Sequence, residues 1–149
     1  MRVMKKTQIG EYMSKKIKIS KLKKIKNSKG DILLIKKFSK KDLISHKEIY
    51  GTWVKKNHIK GWNLHKKMTV RLIVLKGKVK FVFYDKNKNL FKSITCNDKV
   101  IKKIIVYPGI FIAMKNLSNE DSLILNIASL KHSKKEQIKL SINKIKYNW

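Results

Sequence analysis

Apolar and polar residues alternate with period two along much of the chain, the signature of strands buried on one face. Val79, Phe81 and Phe83 alternate with Lys78, Lys80 and Val82, and the stretch Ile17–Lys21 alternates in the same way. The turn Asn27-Ser28-Lys29-Gly30 precedes an apolar run over residues 32–35. Further strands are predicted over 49–54, 70–75, 91–95, 103–107, 111–114 and 122–127. Residues 85–89 read as a polar hairpin loop, and Tyr107-Pro108-Gly109 as a tight turn. Residues 38–47 read as a short helix with Ser39 as cap and Asp42 in its first turn. Residues 137–145 fit helix and strand equally. No internal repeat is visible. Short strands at close spacing, with turn residues between them, predict an all-β sandwich or barrel.

Residues 1–16 lack this periodicity and carry Met1, Met4 and Met13. They read as a flexible basic extension, with a translation start at Met13 as an alternative, ahead of a single domain over 17–149. An apolar fraction of 42% suits a globular chain of 149 residues. No apolar run approaches the ~18 residues of a membrane span. No secretory signal is evident at the N-terminus, so a cytoplasmic protein is expected. Cys96 is alone and reads as a small half-buried filler rather than a nucleophile.

The net charge of +29 suggests nucleic acid at first sight. Of 38 basic residues, however, only Arg2 and Arg71 are arginine, the residue that base readout favours. The lysines are spread from end to end. They predict loose polyanion binding at low salt and no specific nucleic-acid partner.

The chemistry concentrates between Glu48 and Asp85. There His65 sits among Lys60, Lys66, Lys67 and Arg71. An imidazole ringed by fixed cations suits proton abstraction from an anionic, carbonyl-bearing substrate. Arg71 interrupts an apolar strand, where an unpaired charge is costly if it points inward, so it needs an anionic partner. Trp53 and Trp62 read as core or rim aromatics, with stacking on a base or sugar as the other use. His46, His58 and His132 lie in polar stretches and read as surface histidines.

At these residues the chain resembles the dTDP-4-dehydrorhamnose 3,5-epimerase family and its sugar-epimerase-like relatives. The resemblance runs from about Ile17 to Trp149. It rests on Lys29-Gly30-Asp31, on Glu48-Ile49-Tyr50 and above all on Lys60-Gly61-Trp62-Asn63-Leu64-His65-Lys66-Lys67. Gly77-Lys78-Val79, Tyr84-Asp85, Pro108-Gly109 and Tyr147-Asn148-Trp149 extend it. It implies a cupin-type jelly roll, a homodimer, and a nucleotide-linked 4-keto-6-deoxy sugar (dTDP-linked) as substrate, in surface-polysaccharide synthesis. Neither a metal nor an organic cofactor is expected. Where metal-binding cupins carry His-x-His and a carboxylate, this chain has Asn63-x-His65 and Arg71, and a guanidinium cannot ligate a metal.

The resemblance casts His65 as general base and Arg71, or a nearby lysine, as the cation that holds the enolate. Lys60 and Lys29 would bind the diphosphate, with Glu48, Trp62, Asn63 and Lys67 completing the substrate site. The epimerases' base position is Asn63 here, and the strand that carries their proton-donating tyrosine, 122–127, has none. Tyr84, Tyr107 and Tyr147 are substitutes that the sequence does not place. An epimerase, a ketoisomerase, a sugar-nucleotide binder without turnover and a polyanion-binding module stay open at this point.

Overall fold

The computed structural model describes residues 6–35, 39–40 and 45–149. Two five-stranded antiparallel sheets pack face to face. Sheet I contains β1 (Ile17–Lys21), β4 (Glu48–Val54), β6 (Val70–Lys76), β9 (Lys102–Val106) and β11 (Ser122–Ala128), in the order β1-β9-β6-β11-β4. Sheet II contains β5 (Ile59–His65), β7 (Lys78–Asp85), β8 (Leu90–Asn97), β10 (Phe111–Asn116) and β12 (Gln137–Lys139), in the order β12-β5-β10-β7-β8. A ribbon of β2 (Lys23–Ile25) and β3 (Ile32–Leu34) stands apart from both. The all-β sandwich expected from the alternation is what forms.

Alternation explains the core. Val79, Phe81 and Phe83 of β7 turn inward and meet Leu72 and Val74 of β6, Ile104 of β9 and Ile124 of β11. Each such side chain, fully buried, contributes roughly 1.5–3 kcal/mol. The outer faces are also covered. On sheet I, Ile73, Ile101 and Ile127 pack against Leu22, Leu33 and Ile35. On sheet II, Trp62, Val82, Phe111 and Ala113 lie beneath Leu140, Ile142, Ile145, Tyr147 and Trp149.

Three elements depart from the pattern reading. Residues expected in a flexible extension form α1 (Lys6–Lys16), and the last turn buries Met13 in the core while Tyr12 donates to Asp85 at 2.6 Å. That hydrogen bond, with burial and the Asp85 charge behind it, pushes the Tyr12 phenol up to about 12. Strand β5 has no counterpart in the alternation, for a reason given below. Residues 137–145 split into β12 and a single 3₁₀ turn, Ile142–Lys144. Of the predicted helix over 38–47, residues 38 and 41–44 lie outside the described residues.

Candidate functional site

A cavity of about 300 Å³ is walled by both sheets. Sheet I contributes Glu48, Tyr50 and Thr52 from β4, Val70 and Leu72 from β6, and Asn126 from β11. Sheet II contributes Lys60, Asn63 and His65 from β5, Ile112 and Met114 from β10, and Gln137 and Lys139 from β12. His132 stands in the connection that leads to β12.

Strand β5 reaches the cavity through a bulge. Ile112 of β10 pairs with Asn63 while Met114 pairs with Lys60, so β5 carries one residue more than its neighbour. A bulge re-aims side chains. It lets Lys60 and Asn63 both line the cavity, which strict alternation forbids. Gly61 sits in the extra stretch with φ +145°, and a methyl group there would come within 2.5 Å of the Ala113 Cβ. Only glycine fits.

His65 ends β5, 7% exposed, with Nδ1 2.8 Å from Glu136 Oε2. A carboxylate on Nδ1 fixes the tautomer and leaves Nε2 as the free nitrogen of a ring that lines the cavity. Glu136 itself is held by the Lys67 and Met68 backbone N–H groups, both on Oε1, at 2.8 and 2.9 Å. Burial pushes the Glu136 carboxyl up, but the Lys67, His65 and Met68 donors together outweigh it and hold it below the ordinary glutamate value. Opposite, burial and then the Glu48 and Glu136 charges push the Tyr50 phenol up. Tyr50 therefore carries its proton at neutral pH. Asn126 braces that wall by donating to Thr52 Oγ1 at 2.9 Å, and the His132 N–H donates to Glu48 Oε2 at 2.6 Å.

The cavity thus combines a carboxylate-tethered imidazole, a protonated phenol on the facing sheet and two ammonium groups, Lys60 and Lys139. A model of the family described as FdtA: WxcM-like, C-terminal, matches residues 15–145. The chain belongs to this family. No curated protein matches it. This FdtA-family chain is similar to a dTDP sugar isomerase from Desulfovibrio desulfuricans G20, with a TM-score of 0.80 and 19% identity over 89% of this chain and 90% of that one. It is also similar to a mutant of the 3,4-ketoisomerase QdtA from Thermoanaerobacterium thermosaccharolyticum in complex with TDP-4-keto-6-deoxyglucose, with a TM-score of 0.69 and 24% identity over 83% and 86% of the two chains. A dTDP-4-dehydrorhamnose 3,5-epimerase from Sulfolobus tokodaii gives a TM-score of 0.74 and 17% identity over 88% and 80%. The shared fold is the cupin-type jelly roll.

Within this FdtA-family frame, the structure brings four of the eight expected site residues to the cavity: Glu48, Lys60, Asn63 and His65. The other four lie elsewhere. Arg71 alternates with Val70 and Leu72, which face the cavity, so its side chain leaves by the outer face of sheet I. Trp62 is fully buried on the outer face of sheet II, its indole N–H donating to the Ile142 carbonyl at 3.2 Å. Lys29 sits in the exposed turn between β2 and β3. Lys67 gives Glu136 its backbone N–H and keeps its exposed side chain outside the cavity lining. Conversely, His132 lines the cavity, although its polar surroundings suggested an ordinary surface position. Tyr50, Glu136, Gln137 and Lys139 are further cavity or tether residues that the sequence did not single out. Among the described residues, no three His, Cys, Asp or Glu side chains cluster as for a metal.

Proposed function

We propose that this chain is an isomerase of a nucleotide-linked 4-keto-6-deoxy sugar, dTDP-linked, working without a metal in surface-polysaccharide synthesis in the cytoplasm. The observation that carries the reading is the His65–Glu136 pair at the cavity wall. His65 takes the proton next to the C4 ketone on Nε2, and Glu136 stabilises the imidazolium that results. Lys60 and Lys139 hold the diphosphate, and their field also favours the enolate. Tyr50 returns a proton from sheet I. This assignment moves the enolate-stabilising role from Arg71 to the cavity lysines. The ligands of the QdtA complexes, TDP and TDP-4-keto-6-deoxyglucose, support the substrate class.

The test is proton NMR of dTDP-4-keto-6-deoxyglucose with the protein in deuterated water, beside His65→Asn. Deuterium should enter a carbon next to the ketone with the wild type alone, and its position names the reaction. Equal incorporation in both samples would end the isomerase reading. Asn63, which stands at the base position of the epimerases that the chain resembles, favours a second reading: a sugar-nucleotide binder without turnover. Line broadening of the ligand with no deuterium uptake would establish that one.

A further inference from the structure

Trp62 belongs to the strand that carries Lys60, Asn63 and His65, yet it faces away from the cavity. Its backbone makes two hydrogen bonds with Leu140, N–H to O at 2.8 Å and O from N–H at 2.9 Å. Its indole N–H adds the bond to Ile142, and its ring lies 5.9 Å from that of Trp149. Leu140, Ile142, Ile145, Tyr147 and Trp149 are therefore pinned across sheet II through this one residue and its apolar neighbours.

Strand β12 is what this pinning secures. It has three residues, pairs only with β5 and lies at the sheet edge, where its Ile138 is 38% exposed. So short an edge strand has little stability of its own. Its register sets Gln137 beside His65 and Lys139 beside Asn63, and Glu136 immediately precedes it. One end of β12 is tied at Glu136 and the other at Trp62. We propose that Trp62 is a positioning residue for the acid–base pair, clamping β12 from the outer face of sheet II so that Glu136 meets His65 Nδ1. The proposal rests on His65 as the base. Release of the clamp frays β12 and leaves Glu136 on the Lys66, Lys67 and Met68 backbone N–H groups alone, so that its Oε2 no longer holds a fixed place against the imidazole.

Trp62→Phe keeps an aromatic ring and removes the indole donor, and Trp149→Ala removes the covering ring. In the full chain, the downfield imidazole Nδ1–H resonance of His65 should broaden or vanish in both variants while the melt stays cooperative. The rate of sugar proton exchange should fall roughly ten- to a hundredfold, the scale expected of a small misplacement of a reacting group. In a Glu136→Gln background, Trp62→Phe should add almost nothing, because both changes break one tether. A merely structural tryptophan would give additive losses and leave the resonance in place, and either result would overturn the proposal. Should Trp149→Ala fail to fold, Trp62→Phe decides alone. If the wild type exchanges no sugar proton, the isomerase reading fails, and the resonance still reports whether Trp62 holds the pair.

Discussion

With its carboxyl held below the ordinary glutamate value, Glu136 keeps its bond to His65 into mildly acid solution. The contribution is fully present above the unfolded value, about 4.3, and is lost as pH falls through the lower folded value. Urea titrations of wild type and Glu136→Gln should therefore differ above about pH 5. The difference should be ~1.5–3 kcal/mol, typical of a hydrogen bond to a charged group, and should shrink below about pH 4. Tyr50, whose phenol burial pushes up, behaves differently. Tyr50→Phe should leave deuterium uptake by the substrate intact and lower product formation by roughly 10²–10⁴, the range of a lost proton donor. Equal effects on uptake and product would place the donor elsewhere. The sequence made Lys60, Asn63 and His65 legible because they crowd one short segment. Glu136 and Lys139 were hidden because their role depends on a pairing made between distant parts of the chain.

At the scale of elements, the bulge in β5 explains both a missed strand and an exposed function. Alternation fails from Lys60 to Asn63 because two residues that line the cavity stand three apart. Trp62 enters the expected substrate site through the resemblance, and the same irregularity keeps parity from excluding it. A cavity-lining run with strict alternation would have separated it from His65, but the bulge hid which residues face outward. Gly61→Ala tests the arrangement. Its methyl group meets backbone and Cβ of Ala113, so overpacking should cost about 1–3 kcal/mol in thermal or urea unfolding. Proton exchange should fall with it, since Lys60 and His65 flank the shift. Strands β8 and β11, by contrast, were legible because regular alternation meets a buried face on a regular sheet. Arg71 was read on the correct strand and the wrong face. Its neighbours alternate too weakly for parity to be read, since Ile73 is as deeply buried on the outer side as Leu72 and Val74 are within.

At the scale of the molecule, the outer face of sheet I ends in β4, an edge strand with Ile49 57% and Trp53 55% exposed. Apolar side chains this open on a strand with no outer partner among the described residues invite association. The homodimer that the resemblance implies would cover them if it forms through this face. Trp53→Lys should halve the mass seen by light scattering after gel filtration, and an unchanged mass would exclude this face. The net charge of +29 points the same experiment to moderate salt, where like-charged copies repel less. That charge was the most conspicuous feature of the composition and says least about the cavity, in which Glu48 stands beside the lysines.

The sheet order has a kinetic consequence. Strands β4 and β5 follow one another in sequence, yet β4 pairs with β11 in one sheet and β5 with β10 and β12 in the other. Every wall of the cavity thus waits on a partner made much later in the chain. Pairings of such long range put folding in the millisecond-to-second regime of β-sandwiches, roughly, rather than the microsecond one. A nascent or partly unfolded chain therefore carries His65, Tyr50 and Glu136 without any site among them, and ligand affinity should emerge only in the last, concerted phase of refolding.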